Sequence, residues 1–308
     1  MRRAGRIAAL LPALWILLGI AILPGAVGMA RAQSDAAIRR VNWEPQPLAV
    51  GSPCVFTVEV GGSAIGVKGH WLGHDLVFTQ ASQPGKWYAL AGVDVEETPG
   101  RQELSIEAAL PGGETARASR EIEIVPSAYK TVELRVPSQF VEPDAPTLVR
   151  IAEEKKVKDA AFAHQLPAVE WRSNFVLPVN APATDSFGTR RVFNGETASI
   201  HRGMDFRARV GTRVRAANAG EVVLAKNLFY EGGLVVIDHG QQFMTLYMHL
   251  SRIEVTAGEQ VRKGQEIGLS GATGRVTGPH LHMAVRWQGA YLDPAKLFSL
   301  KLPEFPAK

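Results

Sequence analysis

Two short histidine motifs carry residue types that could bind a metal ion. The first is His201–Asp205, with the sequence HRGMD, and the second is His280–His282, with the sequence HLH. Catalytic Zn²⁺ takes three protein ligands from His, Asp or Glu and leaves its fourth position to water. The two motifs supply such a set with one imidazole to spare, and His249 is a further isolated histidine. The chemistry that these residue types indicate is hydrolysis at a metal centre.

Alternating apolar residues predict that the second motif lies on a β-strand. From Leu281 to Trp287 every second residue is apolar, a period of two that is typical of a strand with one buried face. His280 and His282 then share the opposite face, with Cα atoms about 6.5–7 Å apart. One of them could ligate the metal while the other faces the adjacent water or substrate.

The same alternation recurs around the other candidate residues. It predicts that His249 projects from a strand on the same face as Thr245 and Tyr247. His201 and Asp205 are an even number of residues apart, which suits one face of a strand unless the glycine between them bends the chain.

Beyond these residues, a large part of the chain resembles the lysostaphin/LytM-type zinc endopeptidases. The resemblance extends from about Phe175 to Leu297. It is carried by His201-x-x-x-Asp205, Thr245–Leu250 and His280-x-His282, together with Phe187–Gly188, Ala216–Val223, Val236–Gly240, Val261–Gly268, Ser270–Gly274 and Gly278–Pro279. Each motif alone is a weak signal, but the set is specific.

The resemblance implies a role for each candidate residue. It makes His201, Asp205 and His282 the ligands of one zinc ion per chain, and it makes His249 and His280 the catalytic pair. It leaves open which of the pair is the general base, because a neutral histidine can take a proton from water and an imidazolium can protonate the leaving amine.

Three classes of function compete for this sequence. The resemblance favours an exported zinc endopeptidase that hydrolyses amide bonds in peptidoglycan peptides or cross-links through a zinc-activated water. It leaves open which amide is cut, and the exported β-domain without a wall-targeting repeat points toward D-Ala–diaminopimelate cross-links. The alternative is an inactive relative that binds cell wall or activates another hydrolase, but such proteins typically lose ligands or catalytic histidines, and here all five positions are filled. A biotinyl/lipoyl carrier, suggested by Gly220–Val223 and Val261–Gly268, lacks the modifiable lysine at a hairpin tip.

The remaining histidines and the one cysteine are better explained as structural residues. His70 and His74 form a His-x-x-x-His spacing, but flanking glycines and the missing glutamate argue against a zincin helix. His239 is predicted to be a turn residue between two strands. Cys54 has no partner for an internal disulfide, and we expect it to be buried and inert.

The N-terminus predicts export to the periplasm or cell envelope. Residues 1–32 combine a basic start, an apolar run and the Ala30–Ala32 cleavage signal of a signal peptide. An uncleaved anchor is the runner-up, and only this segment would contact a membrane. Nucleic acid is not an expected partner of an exported chain without a basic-aromatic module.

Charge is divided between the two halves of the chain. Residues 33–170 carry 13 Lys and Arg against 19 Asp and Glu, whereas residues 171–308 carry 17 against 11. The basic half could favour an anionic polymer such as cell wall. Mutual attraction of the two halves explains the division equally well.

Strand-like runs and turn residues predict a mainly β protein of two domains. An immunoglobulin-like β-sandwich occupies 33–127 and a connector occupies 128–170, with a strand at Tyr129–Val136 and a helix at Ala145–Ala163 capped by Asp144. A C-terminal antiparallel β-sheet peptidase domain of LytM type follows at 171–300. The tail is 301–308.

Overall fold

The structure is a computed structural model that describes residues 37–61, 64–80, 82–134, 144–193 and 197–305. The predicted signal peptide, 1–32, therefore lies outside the described residues. Within these ranges the protein is mainly β, as the sequence predicts. None of the helices in the described part is both long and apolar enough to cross a membrane.

Twenty-two strands and two α-helices make up the regular structure of the described residues. The strands of the N-terminal half are β1 (Ile38–Glu44), β2 (Leu48–Ala49), β3 (Pro53–Val60), β4 (Gly66–Trp71), β5 (His74–Val77), β6 (Thr79–Gln80), β7 (Lys86–Gly92), β8 (Gly100–Ala109), β9 (Thr115–Val125) and β10 (Thr131–Leu134). Helix α1 (Ala145–Phe162) follows. The remaining elements are β11 (Ala183–Asp185), β12 (Arg190–Phe193), β13 (Thr197–Ile200), β14 (Met204–Phe206), β15 (Arg213–Arg215), β16 (Gly220–Leu228), β17 (Gly232–Asp238), β18 (Phe243–Ile253), β19 (Gln260–Val261), β20 (Glu266–Ser270), β21 (Leu281–Trp287), β22 (Ala290–Leu292) and α2 (Pro294–Ser299).

Two sheets pack against each other in the N-terminal half. Their strand orders are β1-β3-β7-β6 and β2-β9-β8-β4-β5. Phe56 from the first sheet meets Trp71 from the second edge to face, with ring centroids 5.4 Å apart, and both side chains are fully buried. Cys54 is buried in the same core, as predicted, and burial raises the pKa of its thiol. The immunoglobulin-like assignment of this region stays a prediction.

The strand-like run His74–Thr79, one of the short runs on which the predicted β-sandwich depends, is divided in the structure. The sequence predicts a single strand from His74 to Thr79, but β5 ends at Val77 and β6 begins at Thr79 in the other sheet. Phe78 lies between them with its side chain buried in the core, so the chain crosses from one sheet to the other at this residue.

Most strands of the C-terminal half form one antiparallel sheet, whereas β12 and β13 form a separate sheet with β10. The main strand order of the larger sheet is β11-β14-β21-β18-β17-β16-β19, while β15 pairs with β20, β20 with β18 and β22 with β21. The central strand β18 is buried on both faces: Phe243 and Tyr247 face the main core, and Met244 and Leu246 face a second, smaller core. Both faces of β18 therefore carry apolar residues. His282, which lies opposite Met248 in the sheet, is beside the smaller core.

Helix α1 covers the smaller core. Asp144 caps the helix by accepting a hydrogen bond from the Thr147 amide at 3.0 Å, which confirms the predicted start of the helix. Ala161 is buried in this core, and Val157 and Phe162 pack against it. The strand predicted from Tyr129 begins two residues later, at Thr131 of β10, and its predicted end at residues 135–136 lies outside the described residues.

Tyr129 joins the two halves of the protein. Its hydroxyl donates to the Val50 carbonyl at 2.8 Å, and its ring packs edge to face on Phe187. Gly51 and Gly188 have positive φ angles of 75° and 79°, and a Cβ at either residue would lie 2.0 or 2.2 Å from the Tyr129 side chain. Only glycine fits there, so both segments approach the tyrosine closely.

Candidate metal centre and active site

The sheet register brings the three predicted metal ligands together. Asp205 on β14 lies directly opposite His282 on β21, and His201 follows the last residue of β13. Of the two arrangements that the sequence left open, the structure has the bend: the chain turns at Gly203 between β13 and β14, so His201 and Asp205 do not share one strand. The bend, rather than strand periodicity, turns both side chains toward His282.

Three donor atoms converge at this point. His201 Nε2 lies 3.2 Å from Asp205 Oδ1 and 3.0 Å from His282 Nδ1, and His282 Nδ1 lies 2.8 Å from Asp205 Oδ1. Ligands about 2.1 Å from a tetrahedral zinc ion are about 3.4 Å apart, so a small expansion of this triangle accommodates the ion. Two imidazoles and one carboxylate are also a donor set that zinc takes. The arrangement fits one zinc ion per chain.

Acceptor atoms at the end of β11 orient the His201 ring. Nδ1 lies 3.1 Å from the Ser186 carbonyl oxygen and 3.4 Å from Asp185 Oδ2. Both are acceptors, so Nδ1 carries the proton and Nε2 keeps a lone pair for a metal. The His201 amide also donates to the Thr189 carbonyl at 2.9 Å, which fixes the backbone of this ligand.

Asp205 is held as a carboxylate. Burial alone would raise its pKa, but the adjacent His201 and His282 side chains outweigh burial and hold the pKa well below its usual range. A carboxylate at this position supplies the negative charge that a divalent cation needs.

Gly203 leaves the space that the His282 ring occupies. A Cβ at this position would lie 2.3 Å from His282 Nε2 and 2.6 Å from the Met283 carbonyl oxygen. Both distances are shorter than any normal contact, so any side chain would displace the ligand ring or the strand that carries it.

His249 reaches the same face through a β-bulge. Val235 pairs with Tyr247 and Gly233 pairs with Leu250, so β18 has one more residue than β17 in this interval. His249 has a positive φ of 64°, and its ring centroid is 6.1 Å from that of His282. The predicted common face with Thr245 and Tyr247 is therefore wrong: those two side chains are buried on the opposite side of the sheet, and the bulge reverses the direction of His249.

His249 and His280 form a pair beside the ligands. Their ring centroids are 4.8 Å apart, and each Nδ1 lies 2.9 Å from a carbonyl oxygen, of Thr273 for His249 and of Gly278 for His280. Each Nδ1 therefore donates, and each Nε2 is left to accept a proton. His280 Nε2 lies 3.8 Å from Asp205 Oδ1, so His280 and His282 face the same carboxylate.

The surroundings of His249 favour its neutral form. Burial, followed by the nearby His280 and His282, lowers its pKa to about 4. The neutral imidazole is the form that accepts a proton from water at pH 7.

The other histidines lie away from this centre. His239 is in the predicted turn between β17 and β18, but its ring is fully buried and lies 2.7 Å from the Ala219 carbonyl oxygen and 2.8 Å from Thr245 Oγ1. His70 lies 3.2 Å from Asp75 at the surface, and His74 packs on Trp287. No third group joins His70 and His74 in a metal cluster within the ranges described.

The sequence carries no signal for the groups that hold the histidine rings of the candidate site. The carbonyls of Ser186, Thr273 and Gly278 fix three of the rings, yet a backbone carbonyl has no residue-type signature. Gly203 was noticed only as a bend. Its position between His201 and Asp205 was the available signal, because glycine between two candidate ligands indicates close approach of another group.

Comparisons with known proteins agree with this geometry. Residues 199–294 match the family described as Peptidase family M23. A putative peptidase M23 from Pseudomonas aeruginosa has a similar structure, with a TM-score of 0.62, 27% identity and coverage of 82% of this chain and 96% of that one. The chain therefore carries a peptidase family M23 domain.

Two curated relatives each match about a third of the chain. Peptidoglycan DD-endopeptidase ShyA of Vibrio cholerae is 49% identical over 96 residues, which are 31% of this chain and 22% of that protein. DD-carboxypeptidase/endopeptidase Mpg of Neisseria meningitidis is 40% identical over 108 residues, which are 35% of this chain and 25% of that protein. The matches thus span a quarter or less of these relatives' own length.

Proposed function

We propose that this protein is an exported zinc endopeptidase that hydrolyses amide bonds in the peptide cross-links of peptidoglycan. The observation that carries the proposal is the convergence of His201 Nε2, Asp205 Oδ1 and His282 Nδ1 within 3.2 Å of one another. Two further histidines stand beside this triangle with their Nδ1 atoms bonded to carbonyls. This is the arrangement that metal-assisted hydrolysis of an amide needs.

Each of the five residues has a role in the proposed reaction. His201, Asp205 and His282 hold the ion, and the chemistry that zinc supplies in such a site is polarisation of the scissile carbonyl and a bound water of lowered pKa. His249 and His280 accept the proton of the attacking water and return it to the leaving amine. Their fixed Nδ1–H groups keep both Nε2 atoms directed away from the loops that hold them.

The substrate class is supported by the relatives and by charge. ShyA, 49% identical over 96 residues, is named a peptidoglycan DD-endopeptidase, and residues 199–294, which match peptidase family M23, contain all five residues. The basic balance of residues 171–308, with 17 Lys and Arg against 11 Asp and Glu, favours an anionic polymer. We propose that the bond cut is a DD cross-link, in the periplasm or cell envelope where residues 1–32 would direct the chain.

The proposed domain limits follow from the same elements. We propose 33–127 as the immunoglobulin-like domain, 128–170 as the connector, 171–300 as the peptidase domain and 301–308 as the tail. The two N-terminal sheets and the antiparallel C-terminal sheet support these limits.

The experiment is digestion of purified peptidoglycan by zinc-loaded protein, with the new termini identified by mass spectrometry. We expect new amino and carboxyl termini at cross-links, stoichiometric zinc in the wild-type protein, and loss of both activity and zinc in His282→Ala. The matched control is His70→Ala, because His70 is a surface histidine of the N-terminal half. Stoichiometric zinc without any cleavage would favour the inactive wall-binding alternative. Unchanged cleavage by His282→Ala would refute the proposed site.

A further inference from the structure

One face of helix α1 contacts the turn between β16 and β17. Glu154 Oε2 accepts a hydrogen bond from the Phe229 amide at 2.7 Å, and the Arg150 guanidinium lies 5.6 Å from the centre of the Phe229 ring. Lys158 forms a salt bridge with Glu231. Residues 150, 154 and 158 are spaced by four and therefore lie on one face of the helix. All three contact residues of this turn.

These contacts are shielded from solvent. The side chains of Glu154 and Glu231 are each 14% exposed, and that of Lys158 is 23% exposed. By contrast, the pair Lys155–Asp159 on the same helix is 72% and 57% exposed. Ion pairs with little exposure are weakened less by water and salt, so the contacts with the turn constrain the structure more than the exposed pair does.

The turn in question holds the backbone of His249. The His249 amide donates to the Glu231 carbonyl at 2.8 Å. His249 has a φ of 64°, a conformation that costs free energy for a residue with a side chain and persists only where the surroundings impose it. The Glu231 carbonyl is one of the groups that impose it.

The two glycines that follow this turn, Gly232 and Gly233 at the start of β17, contact the group that orients the His249 ring. The Thr273 carbonyl accepts a hydrogen bond from His249 Nδ1, and the Thr273 hydroxyl oxygen accepts one from the Gly233 amide at 2.9 Å. The segment that contains Thr273 and Gly274 lies close to Gly232. A Cβ on Gly232 would be 2.3 Å from Thr273 Oγ1, and a Cβ on Gly274 would be 2.3 Å from the Gly232 nitrogen. Movement of one segment therefore moves the other.

We propose that Glu154 and Lys158 are positioning residues for hydrolysis, acting through the turn Phe229–Glu231. They fix the Glu231 carbonyl, which fixes the backbone of His249 at its bulge, so that its imidazole stands beside His280. This inference rests on the proposed function of His249. It makes helix α1, which precedes the region that matches the M23 family, part of the hydrolytic unit.

The test compares four variants in the full chain. Glu154→Ala leaves the Phe229 amide without its acceptor and Lys158→Met leaves Glu231 without its cation, and we expect each to lower kcat about tenfold, because small displacements of a catalytic group have effects of this order. KM and bound zinc should stay within about twofold of wild type. Glu154→Gln should recover most of the kcat, because its amide oxygen can still accept from Phe229.

The matched control is Lys155→Met, which removes an exposed ion pair from the same helix. It should match wild type in kcat, KM and zinc content. Unchanged kcat in both Glu154→Ala and Lys158→Met would overturn the proposal, as would an equal loss in Lys155→Met or no recovery in Glu154→Gln.

A second readout separates this proposal from the proposed function. The imidazole NMR signals of His249 in the zinc-loaded protein, assigned with His249→Gln, should shift in Glu154→Ala and Lys158→Met but not in Lys155→Met. If wild type shows no hydrolysis, the proposed function fails while these shifts still test the link from the helix to His249. Unshifted signals in a folded Glu154→Ala protein would refute the link.

Discussion

Replacing Gly203 with alanine should weaken zinc binding without unfolding the protein. The added Cβ would lie 2.3 Å from His282 Nε2, and an ordinary contact is about 3.5 Å, so the ring must retreat by roughly 1 Å. His282 Nδ1 is now 2.8–3.0 Å from the other two donor atoms, and the retreat opens this triangle. Disturbing the groups that orient a ligand typically costs 10–100-fold in metal affinity. We expect a loss of this size, which is about 1.4–2.7 kcal/mol of binding free energy.

Competition with a chromogenic chelator measures the zinc affinity, and thermal unfolding of the zinc-free proteins measures the fold. The control is Gly66→Ala, since a Cβ at Gly66 on β4 meets nothing within 4 Å. Gly66→Ala should bind zinc as wild type does. If zinc-free Gly203→Ala is folded and its zinc affinity is within twofold of wild type, the argument from the close approach of Gly203 to His282 is refuted.

Three further predictions concern stability. Burial lowers the pKa of His239 to about 4 from 6.5, so the unfolded state binds more protons between these pH values and stability falls as the pH drops through that window, by up to about 3 kcal/mol. Urea unfolding at pH 7 and pH 4 should show a smaller loss in His239→Gln, and an equal loss would contradict the assignment. Zinc at a thousandfold its dissociation constant should add about 4 kcal/mol to the free energy of unfolding, and an unchanged unfolding midpoint after chelation would argue against a site in the folded state. Phe56→Ala should cost about 3–5 kcal/mol because the ring is fully buried against Trp71, whereas Val77→Ala, at a residue 55% exposed, should cost little.

Local patterns in the sequence predicted elements whose causes are local. The cap of helix α1 depends on Asp144 and the residues just after it, and the structure has that cap. The strand of His282 depends on alternation within seven residues, and β21 covers Leu281–Trp287. Residue types at short spacing were sufficient in both cases, because the stabilising contacts lie within a few residues.

The division of the predicted His74–Thr79 strand shows the opposite case. Alternation across Phe78 suits one strand, but β5 and β6 belong to different sheets. The choice is made by partners far along the chain: β5 pairs with β4 and β6 pairs with β7. Such pairing has no local signal in the sequence, so the local pattern predicts one strand where the structure has two.

Residue types alone define the chemistry of the candidate site. The types and spacing of His201, Asp205 and His282 defined a zinc donor set, since ligand type is a property of the residue. The position of His249 and His280 beside these three residues depends on the folded chain. His249 faces the ligands only because β18 carries an extra residue and its backbone adopts a φ of 64°.

That bulge could not be read from alternation, because its supports come from separate parts of the chain. The Glu231 carbonyl holds the His249 amide and the Thr273 carbonyl holds its ring. Helix α1, through Glu154 and Lys158, contacts the turn that contains Glu231. A side chain's direction at a bulge depends on contacts of this range, so the sequence predicts which histidines belong to the candidate site, while the folded chain sets the direction of His249.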